Sequence, residues 1–353
     1  MTPPRPRSVA HRLLIGILAA LAVLAAAHTG LWWFATGRLA DELTAWQGQN
    51  RPAGWMISVG VPVRTGWPLA AAIAVPDVML AGGEADIPGG LSWRAAHAEL
   101  AVALLAPRQL RIRVTGQQSL RLSGLPEFAF TANQFELTIP LDPGVPSHSG
   151  DLAASGLHAA LASGSFDIAT LALHTDSRAA AIKGEEALAI TGSAEAIGLP
   201  FLQGGHPWPF GRRITSVSFD AALTGPLPRA TDLTTRAAAW RDGGGTLELR
   251  RLALGWGPLG LSGNATMTLD APMQPQGTAT VRLVGYDAML DALVSSGTLA
   301  PRSALAAKGI LAILAQPPEG GGAPQVELPL TLHDRTLSAG RFPLLRLPEW
   351  VWP

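Results

Sequence analysis

The sequence predicts a mainly β chain: an N-terminal transmembrane helix, then long twisted antiparallel sheet with a few short helices. Three observations carry this. Leu13 to Gly37 holds no Asp, Glu, Lys or Arg. Beyond residue 55 the apolar period falls from 3.6 to 2 and stays there over many segments. Gly (39) and Pro (29) punctuate those segments at short intervals, which is turn chemistry.

As helix, 13–37 is about 37 Å long at ~1.5 Å per residue, against a hydrocarbon core of ~30 Å. Its anchor residues are Leu13, Leu14, Ile15, Ile17, Leu18, Leu21, Val23, Leu24, Leu31, Trp32, Trp33 and Phe34. The last three form an aromatic belt at the outer end. Arg5, Arg7 and Arg12 precede the run and no acid stands before Asp41. The positive-inside rule therefore puts 1–12 in the cytoplasm and the remainder across a bacterial inner membrane, in the periplasm. Ala25-Ala26-Ala27 also fits a signal-peptidase site, so a cleaved leader is the competing reading. The apolar run continues through the tryptophans, which favours an anchor.

Residues 38–54 read as a helical stalk, with Leu39, Leu43 and Trp46 on one face. From Ile57 to Val63 a strand alternates, with Pro62 marking an edge. Leu69–Leu80, Ala98–Leu104, Leu110–Val114, Leu120–Leu122 and Phe135–Ile139 follow as half-buried strands. The loop 142–150 separates two candidate halves, 55–141 and 151–353. Strands resume at Leu152–Leu161, Phe166–Leu173, Leu188–Thr191 and Val217–Leu223. Thr231–Arg241 reads as a short helix. Leu247–Leu254 switches parity at Arg250-Arg251, a bulge signal. Leu259, Leu261, Met267 and Leu269, with Val281 and Leu283, share one parity across a hairpin and form a candidate apolar groove. Tyr286–Val294 and Pro301–Ala315 read as helices, 316–323 as a flexible turn, and Val326–Leu332 as the last strand. The tail 341–353 is apolar, Pro-punctuated and not helical.

Composition narrows the function. Basic and acidic residues number 26 each, which argues against nucleic-acid binding. Cysteine is absent, which removes disulfides, thiolate nucleophiles and Cys metal sites. Gly255-Trp-Gly-Pro-Leu-Gly260 matches a dinucleotide fingerprint, but Pro258 and a period-2 run follow where a helix must open, so it reads as a turn. His97 and Glu99 share a strand face without further ligands, and His333-Asp334 stands at a strand end. Ser163, Ser165 and Ser193 lie near glycines without forming a nucleophile elbow. Asp167 and Asp220 are the carboxylates that distant strands would have to bring together for acid–base chemistry. Arg111, Arg113 and Arg121 form either a solvated face or a strip for anionic head groups. Trp208 and Phe210, like Trp350 and Trp352, read as local packing, with membrane or partner contact as the alternative.

Leu252-Ala-Leu-Gly-Trp-Gly-Pro-Leu-Gly-Leu-Ser-Gly-Asn-Ala-Thr-Met-Thr-Leu-Asp270 and Arg64-Thr-Gly-Trp-Pro-Leu69 resemble the bacterial domain-of-unknown-function family 2125 over most of 40–353. The strand style also resembles AsmA-like envelope proteins. That likeness implies a curved sheet with an apolar interior, anchored in the inner membrane and linked to lipid movement. No catalytic residue, metal or cofactor is expected, and the expectation is a non-enzyme. The expected partners are membrane lipid and an envelope protein. The alternatives are an interaction module working through a sheet edge or the tail, and a hydrolase with a non-contiguous site.

Overall fold

The computed structural model describes residues 9–50, 55–83, 90–122, 127–141, 148–178, 180–202, 208–228, 232–315 and 324–352. Helix α1 (Val9–Asn50) leads into short strands β1 (Met56–Ser58) and β2 (Val63–Thr65). Then come β3 (Ala70–Gly82), β4 (Leu91–Ala103), β5 (Gln109–Leu122), β6 (Phe128–Thr131) and β7 (Gln134–Pro140). The run continues as β8 (Ser149–Leu161), β9 (Gly164–Ser177), β10 (Glu186–Gly198) and β11 (Arg213–Thr224). Helix α2 (Leu233–Asp242) precedes β12 (Leu247–Trp256), β13 (Leu259–Leu269) and β14 (Pro275–Val284). Helices α3 (Tyr286–Ser295) and α4 (Pro301–Leu314) precede β15 (Gln325–His333), β16 (Thr336–Ala339) and β17 (Phe342–Arg346).

Each strand pairs antiparallel with its neighbours in sequence, so the described strands form one long meander. β1 and β2 both lie on β3, and β6 and β7 together bridge β5 to β8. Leu137 of β7 faces Leu152 of β8, so the strands on either side of 142–147 share the sheet.

The sequence reading needs four corrections of extent. Ile57–Val63 is not one strand. Gly60 turns aside to donate to the Pro76 carbonyl (2.8 Å), and Pro62 has no N–H to extend a ladder. Leu110–Val114 and Leu120–Leu122 are parts of one strand, β5, whereas the stalk continues the anchor helix as read, through Asn50, with 51–54 outside the described residues. β4 begins at Leu91, seven positions before the alternation is visible. The tail contains β17. The short helix α2 sits where expected, capped by Asp232 accepting from the Thr235 N–H at 2.7 Å. The parity switch at Arg250-Arg251 is a register shift between Leu249 and Leu252. The expected cytoplasmic tail up to residue 8 and the turn 316–323 lie outside the described residues.

Register places the apolar side chains of every long strand on one face. Ile73 faces Leu100, which faces Ile112, which faces Leu137, Leu152 and Leu173 in turn. Further along, Phe219 faces Leu252, Leu254 faces Leu261, Leu261 faces Leu283, and Leu283 faces Val326. The opposite face carries Arg113–Glu136, Asp151–His174 and Arg282–Glu327 across strands.

A transverse seam interrupts the alternation. Asp77, Gly116, Gly156 and Ala196 have positive φ (50°, 81°, 58° and 51°) in β3, β5, β8 and β10. In β3, β8 and β10 the apolar parity switches at this residue, while in β5 the parity holds and the pairing with β4 slips by one residue. Ala95 and Ala98, three apart on β4, accordingly pack in one cluster with Val78, Trp93, Val114 and Phe135. The slip between β4 and β5 is a bulge, which bends the strand locally and raises its twist.

The apolar face is closed in places and open in others: Ile73, Val114 and Val326 are at most 4% exposed, whereas Leu261, Met267 and Leu283 stay partly accessible. Helices α2, α3 and α4 sit at the strand ends and touch the strands sparsely. The chain exposes 21952 Å², whereas a compact monomer of its mass exposes about 13,500 Å². Part of the surplus is α1. On the sheet, all of β9 and all but one residue of β13 stay partly accessible.

Helix α1 docks on the start of the sheet. Thr36 is fully buried there. Trp32 Nε1 donates to the Thr65 carbonyl (3.1 Å), the Arg64 guanidinium lies 4.5 Å from the Trp33 ring, and His28 Nε2 meets the Pro68 carbonyl.

In the middle of the sheet, a Cβ on Gly277 would strike the Thr266 carbonyl and lie 2.8 Å from Met267 Cα. Both are backbone and cannot yield. Gly277→Val is expected to destabilise the sheet by about 1–3 kcal/mol, read as a lower urea midpoint by tryptophan fluorescence.

Candidate functional site

The candidate site is the apolar face itself. Of the groove residues singled out from the sequence, Leu261, Met267, Leu269, Val281 and Leu283 are half-buried on that face. Leu261 pairs with Leu283, Met267 with Gly277 and Leu269 with Pro275. Leu259 is 8% exposed at the far end of β13, beside the helices, and lines no open surface. The face extends well beyond these residues, through β3 to β11.

Sequence reasoning missed one polar member. Gln118 is 1% exposed and faces Ala95 and Phe130. Its Oε1 accepts from Trp93 Nε1 at 3.2 Å, and its Nε2 has no partner among the described residues. Burying that donor costs roughly 1–3 kcal/mol. The signal was legible: Gln118 holds the even parity of Leu110, Ile112, Val114, Leu120 and Leu122 on β5.

The aromatic belt residues divide. Phe34 and Trp33 are 64% and 59% exposed on α1, but Trp32 is half-buried and tied to Thr65. Leu13, Leu14, Ile15, Ile17, Leu18, Leu21, Val23, Leu24 and Leu31 are all exposed. Gly37, at the end of the uncharged run, lies against Arg64.

The polar face carries cross-strand ion pairs. Asp167 accepts from Ser165 Oγ (2.8 Å) and contacts His158 Nδ1 (2.6 Å). The carboxylate is thus the middle member. A nucleophilic triad instead needs the imidazole between hydroxyl and carboxylate. Asp220 sits in the cross-strand row of His174 and Thr191. That row is seven residues from Asp167 along β9, roughly 23 Å, so the two carboxylates do not converge. Asp151, His174, Asp220 and Arg251 rim a trough of about 420 Å³ floored by Ala153, Ala172, Ser193 and Ser218. Among the described residues no group of three or more His, Asp or Glu is arranged for a metal. His97 faces Pro76 and Thr115, and Glu99 faces Ala74 and Arg113. Arg113 is paired with Glu136, while Arg111 and Arg121 lie on the same polar face opposite Thr138 and Ser92.

The remaining motifs pack locally. Gly257 and Pro258 form the tight turn between paired Trp256 and Leu259, where a nucleotide would need a helix. Trp208 and Phe210 close on Trp256, at 5.7 and 5.2 Å between ring centroids. Trp350 N–H donates to Gln274 Oε1 (2.8 Å) and Trp352 Nε1 to the Met273 carbonyl (2.8 Å), stapling the tail to the β13–β14 turn.

The Asp167 carboxyl is held below its ordinary value by hydrogen bonds from His158 first and Ser165 second. Its small contribution to stability is present above the unfolded carboxylate pKa and fades as pH falls through the lowered one. His158→Ala is expected to raise the Asp167 titration midpoint towards 3.8, read by carboxyl carbon NMR.

Comparison with curated proteins and with solved structures finds no match. A family model described as "uncharacterized protein conserved in bacteria" matches residues 32–348, from the docking point on α1 to just past β17. The chain belongs to that bacterial family, domain of unknown function 2125.

Proposed function

We propose that this chain is a non-enzymatic, membrane-tethered protein that holds hydrophobic ligand, most naturally lipid acyl chains, on its apolar sheet face. The supporting observation is that face: apolar on every long strand, and partly accessible along Leu261, Met267, Leu269, Val281 and Leu283 among the described residues. Water against that much apolar surface is unfavourable by about 25 cal/mol per Å². An acyl chain supplies the missing contact without needing a specific partner group. In this reading α1 is a single-pass anchor in the inner membrane, residues 1–12 are cytoplasmic, and the sheet stands in the periplasm. The ion pairs of the opposite face keep that side wetted.

The test uses adjacent residues that point to opposite faces. Full-length protein purified in mild detergent is extracted and its bound lipid measured by mass spectrometry. Leu261→Asp is expected to lose most of that lipid and Ser262→Asp to keep it, with far-UV circular dichroism unchanged in both. Equal lipid in the two variants would sink the reading.

One observation favours a second reading, an interaction module. β17 is exposed along its whole length, with Phe342 and Leu344 at 75% and 57%. A partner strand could add to such an edge. Deleting 341–353 would then remove a stoichiometric protein partner and leave bound lipid unchanged.

A further inference from the structure

The turns at one end of the sheet share an unusual feature. Trp67 and Leu69 stand in the β2–β3 turn, Leu105 in β4–β5, Leu141 after β7, Ile182 in β9–β10 and Leu227 after β11. They are 56%, 77%, 90%, 38%, 64% and 42% exposed. Five connections at this end, from the β2–β3 turn to the one after β11, thus present a large apolar side chain to solvent, where loop chemistry calls for polar ones; the β13–β14 and β15–β16 turns do not.

These turns lie level with one another. One cross-strand row runs through Ser149, Asp176, Ala189, Ala222, Glu248, Thr266, Thr278 and Thr331. Each strand ends within about three residues of it, roughly 10 Å. On the other side, Ala70 pairs with Ala103 and Gln109 with Pro140, each next to its turn.

Helix α1 passes this same end. His28 meets the Pro68 carbonyl and Trp32 the Thr65 carbonyl. Leu13 to Ala27 is therefore the uncharged length that projects beyond the sheet, about 22 Å at ~1.5 Å per residue. A hydrocarbon core is about 30 Å thick. The shortfall is made up only by helix that lies abreast of the first turn, where Trp67 and Leu69 are exposed. Among the described residues of the β4–β5 and β9–β10 turns, Arg108, Arg178 and Lys183 are exposed cations and Glu185 the one acid, a balance that suits anionic head groups.

We infer that this rim of turns is a second membrane contact, seated in the outer head-group layer of the bilayer that α1 crosses, so that the apolar face opens directly onto lipid. The inference rests on reading α1 as a span and does not require that lipid be retained on the sheet.

The absence of cysteine makes the test direct. Leu105→Cys, Ile182→Cys and Leu227→Cys are each labelled with an environment-sensitive fluorophore in the full chain and reconstituted into vesicles carrying brominated acyl chains. Leu21→Cys reports the anchor. Ile313→Cys, 85% exposed on α4 at the opposite end, reports an equally apolar site about 40 Å away along 13-residue strands. The three rim labels are expected to be quenched like Leu21 and Ile313 to stay unquenched. Rim labels that behave like Ile313 while Leu21 is quenched overturn the second contact alone. An unquenched Leu21 overturns it together with the anchor. Lipid retention, measured separately by extraction, is untouched by either outcome.

Discussion

The whole structure answers to one constraint: the described residues form a sheet of seventeen strands whose apolar side chains share one face, and much of that face stays partly accessible. A domain of this length normally hides such a face under helices or a second sheet. Here α2, α3 and α4 sit at strand ends. The buried core is correspondingly thin, made mostly of alanines and a few larger residues such as Ile73, Val75 and Val326. Stability must come chiefly from strand pairing, neighbour-to-neighbour contacts along the apolar face, and cross-strand ion pairs outside.

The seam makes this arrangement workable. A long, uninterrupted apolar sheet invites edge-to-edge and face-to-face association. Positive-φ residues placed at the same level in β3, β5, β8 and β10 interrupt it instead, while the apolar residues stay on one side. The orphaned Nε2 of Gln118 lies beside this seam, near Trp93 and Phe130. It is the one fully buried side-chain donor on the apolar face that lacks a partner among the described residues.

Helix α1 is more than a tether. Trp32, Trp33 and Thr36 fix it to the β2–β3 hairpin, so the orientation of the helix sets the orientation of the sheet. Tryptophans that the sequence marks as an interfacial belt therefore divide, Trp33 largely exposed and Trp32 turned to the protein.

The residues by themselves determined the class. An uncharged helix-length run, period-2 alternation and the parity break at Arg250-Arg251 read directly as anchor, strands and bulge, because these depend on local geometry. The strands that read only in fragments, such as Ala98–Leu104 for β4, were cut where the seam resets parity, and one-residue shifts look like an ending when no partner is visible. Tertiary structure alone decided that every apolar stripe lands on the same side, that Asp167 and Asp220 stay apart, and that Leu259 is covered while Leu261 is not. Those are matters of register between strands far apart in sequence, and register is set by pairing rather than by any strand's own composition.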